Sequence, residues 1–155
     1  MPLAGAPPTG SVMMVHHVTG TYFMCNDFHD NVGNHVQTWA QDPFADATSH
    51  RWTLHRNADG TVVIRSAAHG RALSAGANPA DVVTLKEGND SLHQNWRFEP
   101  VDVSTDGYVI ASVVHPSYAL SIASHLQAND QLLGLTRMWG GANLAQVWKV
   151  FPHGA

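Results

Sequence analysis

Three stretches of the chain align on one another without a gap: TGSVMMVHHVTGTYFM (Thr9–Met24), DGTVVIRSAAHGRALS (Asp59–Ser74) and DGYVIASVVHPSYALS (Asp106–Ser121). Each opens with a turn pair ending in glycine (Gly10, Gly60 or Gly107) and carries an apolar residue, Phe23, Leu73 or Leu120, near its end. Between them runs a β-rich segment (Val12–Val15, Val62–Ile64, Val109–Ala111). A turn follows at Thr19-Gly20, His69-Gly70 or Pro116-Ser117, then a second extended segment. β-Branched and aromatic residues suit a pleated, half-buried surface, and two such runs joined by a tight turn read as a hairpin. A unit that recurs about every 45–50 residues organises the whole chain.

Each unit also closes alike, on His50-Arg51-Trp52-Thr53-Leu54, Gln94-Asn95-Trp96-Arg97-Phe98 and Gln146-Val147-Trp148-Lys149-Val150. The Trp and the apolar residue two places on share one face of a strand, so both can enter a core. Between hairpin and close lies a further strand-like run: Val36–Trp39, Val82–Leu85 and Gln131–Leu135. No stretch sustains helical periodicity over ten positions. Four strands in each of three units give an all-β protein of roughly twelve strands with pseudo-threefold symmetry. Three blades fall below the usual propeller, so a closed barrel capped by three hairpins is the better solution. Closure removes exposed edges and brings the three Trp together near the axis. The units span about 10–58, 59–105 and 106–152, in one domain over 10–155, with 1–9 as a flexible arm.

Gln-x-Trp at the close of ~45-residue units resembles the hallmark of the ricin-B-like β-trefoil, the R-type lectin family. It occurs here as Gln94-Asn95-Trp96 and Gln146-Val147-Trp148, with His50-Arg51-Trp52 as a degenerate copy. The resemblance spans nearly the whole domain and is closest in character to small disulfide-free fungal lectins. It implies a β-trefoil and carbohydrate binding, of the galactose or N-acetylgalactosamine type. It also implies a sugar site made by an Asp after the second strand, an aromatic platform on the third, and an Asn before the Gln. Here the first column reads Met24, Ser74 and Ser121, and the last reads Ser49, His93 and Ala145, so no unit holds the full set. The platform column reads Trp39, Leu85 and Leu135.

A pyranose needs a flat apolar face and a few polar groups that fix its hydroxyls. The first unit offers Trp39 with dense polar loops, from which Asn26, Asp27, Asp42, Ser49 and His50 are the candidate binding residues. The third unit ranks next, with Trp139 and Asn143 beside Gly140-Gly141. The second has Lys86, Asn89, Asp90 and His93 but no aromatic, and ranks last.

Composition narrows the alternatives. The chain has 155 residues, 44% hydrophobic and only 13% charged, with a net charge of −4 and no basic run. That removes the electrostatic footprint of a nucleic-acid binder. No apolar run reaches the ~18 residues of a membrane span. Cys25 is single, which excludes an internal disulfide, and its neighbourhood reads as packing. The opening MPLAGAPPTG has neither the basic start nor the apolar stretch of an export signal, so the expected location is cytoplasmic, with non-classical export compatible. Eleven histidines show no metal-ligand spacing and read as scattered surface residues. The two glutamates, Glu87 and Glu99, suggest no catalytic carboxylate pair. The expectation is a non-enzymatic, cofactor-free protein whose partners are glycans, with low charge and a Pro-rich arm compatible with a homodimer. The alternatives are a trefoil protease inhibitor acting through loops Asp27–Asn34 and Asp42–Ser49, and an assembly module without a small ligand.

Overall fold

The structure, a computed structural model, describes residues 7–25, 32–39, 51–89, 91–101, 106–122, 131–138 and 144–152. The side chains of Cys25, Trp39, Gln131, Leu132 and Leu144 lie outside the description. Twelve strands follow one another: β1 (Gly10–His16), β2 (Tyr22–Cys25), β3 (Val36–Trp39), β4 (Trp52–Arg56), β5 (Val62–Ser66), β6 (Ala72–Ser74), β7 (Thr84–Lys86), β8 (Trp96–Pro100), β9 (Gly107–Ser112), β10 (Tyr118–Ile122), β11 (Gln131–Arg137) and β12 (Val147–Pro152). Two 3₁₀ turns, Leu92–Gln94 and Leu144–Gln146, precede β8 and β12. Among the described residues there is no α-helix, and so none long and apolar enough to cross a membrane.

Six strands close a barrel. β1 pairs with β4, β4 with β5, β5 with β8, β8 with β9, β9 with β12, and β12 with β1, all antiparallel. The other six form hairpins β2–β3, β6–β7 and β10–β11. Those hairpins meet over one barrel end, where β11 pairs with β3 and His35 bridges to Thr84. Every strand thus finds a neighbour, as backbone groups withdrawn from water require.

Alternation along the last strand of each unit fills the interior. Trp52, Trp96 and Trp148 are wholly buried in one core with Phe23, Leu73 and Leu120. Phe23 lies edge-on to both Trp52 and Trp148, with ring centroids 4.9 and 5.5 Å away. Each indole N–H donates to one backbone carbonyl: Trp52 to Phe23 (2.8 Å), Trp96 to Leu73 (3.1 Å) and Trp148 to Leu120 (3.1 Å). The acceptors are the three aligned apolar residues of the sequence repeat. An indole buried with its donor satisfied gains its full apolar area, roughly 4–6 kcal/mol each as an upper bound.

The strand register corrects the ungapped alignment in one place. Trp148 faces His16, Trp52 faces Ser66 and Trp96 faces Ser112, whereas the alignment sets Val113 against His16 and Ser66. The bend of the third hairpin is therefore one residue longer. Gly60 accordingly lies in the turn before β5, with φ of 88°, whereas Gly107 is the first residue of β9. His16 is a second correction, being fully buried rather than at the surface. Its ring packs edge-on to Trp148, Nε2 donates to the Ala145 carbonyl at 2.7 Å, and Nδ1 accepts from the Thr19 hydroxyl at 2.9 Å, an assignment made from the acceptor at Nε2. Ahead of β1, Pro7 is buried and its carbonyl accepts from Arg56 Nη2 at 2.8 Å.

Candidate functional site

The Gln of Gln-x-Trp ties each barrel strand to the hairpin of its own unit. Gln94 Nε2 donates to the Glu87 carbonyl (2.8 Å), and its Oε1 accepts from the Asn89 N–H (3.0 Å). Gln146 Nε2 reaches the Thr136 carbonyl (3.0 Å), the Thr136 hydroxyl (2.7 Å) and the Arg137 carbonyl (3.2 Å). Both glutamines are buried, so the chain just past β7 and the end of β11 are each fixed by bonds whose glutamine end is withdrawn from water.

In the second unit this arrangement encloses an open pocket of about 370 Å³. One wall is the end of β6 and the bend beyond it, Ser74, Ala75, Gly76 and Ala77; the other is Lys86, Asn89, Ser91, His93 and Gln94. The two walls are joined by a reciprocal pair: Ala75 N–H donates to the His93 carbonyl (2.9 Å), and His93 Nδ1 lies 3.2 Å from the Ala75 carbonyl. With Nδ1 donating there, Nε2 is left as an acceptor. His115 from the third unit packs edge-on to His93 at 6.3 Å, its Nε2 2.9 Å from the Gly76 carbonyl. Backbone N–H of Ser91 is held by Asn89 Oδ1 at 3.0 Å. The pocket volume falls within the ~300–1,000 Å³ of small-molecule sites, and small residues on one side with hydrogen-bonding groups on the other suit a polyhydroxylated ligand.

Of the residues singled out in the sequence, Asn26, Asp27, Asp42, Ser49, His50, Trp139 and Asn143 lie outside the described residues, as does loop Asp42–Ser49 and most of Asp27–Asn34. Trp39 ends β3 opposite Tyr22. Its platform column is shifted by one from the sequence reading. The position opposite Tyr22 corresponds to Lys86 opposite Ala72 and Thr136 opposite Ala119, while Leu85 and Leu135 correspond to Thr38. Thr38, Leu85 and Leu135 are buried, whereas Lys86 and Thr136 are exposed. Lys86 and His93 of the second unit, the unit ranked last from the sequence, line a pocket. Strand pairing is what places Lys86 in that column, and the signal within the sequence is a lysine directly after the apolar Leu85. Among the described residues no group of three or more His, Cys, Asp or Glu is placed to hold a metal ion.

No family model matches the chain, and no curated protein matches it in sequence. Solved structures do match. A designed threefold-symmetric protein, ThreeFoil, superposes with a TM-score of 0.78 at 19% identity, over 92% of this chain and 98% of that one. The Macrolepiota procera ricin B-like lectin in complex with lactose gives 0.72 at 18% identity, over 94% and 97%. The C-half of an earthworm R-type lectin in complex with GalNAc gives 0.68 at 17% identity, over 92% and 98%. With a closed six-strand barrel, three capping hairpins and a buried Trp closing each unit, the chain has the β-trefoil fold that these structures share.

Proposed function

We propose that the chain is a non-catalytic carbohydrate-binding protein, a lectin, that recognises galactose- or N-acetylgalactosamine-type glycans through shallow sites on its trefoil loops. The observation that carries this reading is the second-unit pocket, which sits between the second strand, the third strand and the Gln-x-Trp turn of its unit. The resemblance drawn from the sequence puts a sugar site among those same three parts. Trefoils of the same form solved with lactose and with GalNAc support the sugar class. Glycoside hydrolysis needs two facing carboxylates, and the described residues lining the pocket include none.

The first unit, through Trp39 with Asn26, Asp27, Asp42, Ser49 and His50, and the third, through Trp139 and Asn143, are further sites in this proposal. Each site gains little area, so avidity would come from several sites or from a homodimer. The partners are glycans or glycoconjugates, and the proposed location is cytoplasmic. A glycan array of the labelled protein, repeated with Trp39→Ala and Trp139→Ala, tests the reading. Galactose- or GalNAc-terminated glycans are expected to bind, and each variant to weaken binding roughly fivefold through loss of a stacking face. Failure to bind any glycan overturns the function, and unchanged binding in a variant removes the site of that unit.

A further inference from the structure

We propose that the second-unit pocket selects an acidic saccharide, a pyranose bearing a carboxylate, with Lys86 as the residue that reads the charge. The inference rests on the carbohydrate-binding reading and names the ligand class of one site within it. The register carries it. Where the first unit places Trp39 and the third Thr136, the second places a lysine at the pocket wall. In the column that the resemblance assigns to a hydroxyl-binding Asp stands Ser74, 2% exposed, whose hydroxyl donates to the Ala72 carbonyl at 3.2 Å. Among the described lining residues the pocket thus offers one cation and no carboxylate.

Among the described residues, the neighbouring carboxylates are engaged elsewhere. Glu87, its sequence neighbour, is held by Arg71 at 2.7 Å. Asp81 accepts from the Asn78 N–H at 3.1 Å and is not among the lining residues. Arg65 Nη1 donates to the Gly70 carbonyl at 3.0 Å and packs beside Gly88, adding positive charge near the same loop. Lys86, the Asn89 amide and the Ser91 hydroxyl supply donors to a carboxylate and its neighbouring hydroxyl, and His93 Nε2 supplies an acceptor for another hydroxyl. The wall Ser74–Ala77 carries no large side chain, so a ring can approach the backbone. Asp90 lies outside the described residues and enters as one arm of the test.

The test is titration of the ¹⁵N-labelled protein by NMR with methyl galacturonide, methyl galactoside, methyl galactoside 6-sulfate and sodium acetate. The same titrations are run on Lys86→Met and Asp90→Asn, with thermal unfolding as the check on folding. Methyl galacturonide is expected to bind roughly tenfold tighter than the neutral galactoside, the value of one charge-assisted hydrogen bond, with shifts centred on residues 74–77 and 86–94. Lys86→Met should abolish the preference, Asp90→Asn should preserve it, and raising salt from ~20 to ~500 mM should shrink it. The sulfate ester should bind less tightly than the carboxylate, and acetate alone should not shift these residues. Equal affinity for acidic and neutral galactosides, an unchanged preference in Lys86→Met, loss of binding in Asp90→Asn, or equal response to acetate overturns the inference. Neutral galactosides binding without the preference refutes this inference alone, whereas no binding by any saccharide refutes the lectin reading itself.

Discussion

Replacing Gln94 tests whether the Gln of Gln-x-Trp acts through both ends of its amide. In the structure it is 2% exposed, donates from Nε2 to the Glu87 carbonyl at 2.8 Å and accepts at Oε1 from the Asn89 N–H at 3.0 Å. Gln94→Ala removes both bonds. A lost hydrogen bond costs about 0.5–1.5 kcal/mol net, and more when its partner stays buried. Glu87 and Asn89 are exposed, so water can take over part of each partner, and the loss should be about 2 kcal/mol. Gln94→Glu separates the two ends. It keeps an acceptor for Asn89 but, when ionised, sets an oxygen against the Glu87 carbonyl and buries a charge, for a cost of about 3 kcal/mol at pH 7. Both the carbonyl and the burial raise the folded-state pKa of the introduced carboxyl above its unfolded value of ~4.3. Its protonated form is therefore the one the fold favours. That contribution is fully present below pH ~4.3 and is lost as pH rises through the folded pKa. Urea unfolding followed by tryptophan fluorescence, comparing variant with wild type at each pH so that other groups cancel, should show a gap that narrows by at least ~1.5 kcal/mol between pH 7 and pH 4. A Gln94→Glu protein within ~0.5 kcal/mol of wild type at pH 7, or a gap that does not move with pH, would refute the two-ended clamp.

The indole bonds make a parallel case: Trp52→Phe, Trp96→Phe and Trp148→Phe each leave a buried carbonyl unpaired and a cavity, so each should cost about 2–4 kcal/mol in the same assay. Trp148, which also packs on His16 and Phe23, should cost most, and a variant as stable as wild type would contradict the shared role. Tyr108 gives a pH dependence of the same sign at higher pH, because burial raises its phenol pKa above 10.0, with the Asp106 carboxylate adding to the shift. Its contribution is complete below pH 10 and is lost as pH rises through the higher folded value. Tyr108→Phe should remove the fall in stability that this phenol causes above pH ~10, and identical curves for the two proteins would sink the assignment.

The parts of the fold legible in the sequence are those set by local pattern. Val62-Val63-Ile64 and Val109-Ile110-Ala111 read as strands because β-branched runs bounded by turn residues leave few other options. Trp52, Trp96 and Trp148 read as core because so large an apolar surface, repeated three times with an apolar residue two places on, has nowhere else to go. Register was not legible. Alternation fixes which residues share a face, but the length of a bend fixes which residue stands opposite which, and the third hairpin gained its extra residue inside a bend. The start of β7 was hidden for a related reason. Val82-Val83 extends the apolar run ahead of Thr84, yet Val82 is 37% exposed and Val83 fully buried, so the run does not mark the strand. His16 was misread because its partners, Thr19 and the Ala145 carbonyl, come from a turn and from the far end of the chain.

The motif that identifies this trefoil is silent about its ligand, and the hydrogen bonds show why. Both ends of the Gln94 amide are taken by backbone groups, the Gln146 amide nitrogen is likewise taken up within its own unit, and each indole N–H is spent on a carbonyl of its unit. None of these groups is left to meet a sugar, so counting Gln-x-Trp copies counts units of scaffold and not binding sites. Discrimination between ligands must come from positions the scaffold does not need. The column opposite Tyr22, Ala72 and Ala119 is such a position, and its occupants are an aromatic, a cation and a small hydroxyl: Trp39, Lys86 and Thr136. Three identical sites would give avidity for a repeated sugar. Three unlike residues at one register position instead give a symmetric body with unequal faces, so under the proposed carbohydrate binding the response to a mixed glycan should follow the arrangement of neutral and acidic residues along it more than the number of copies of either.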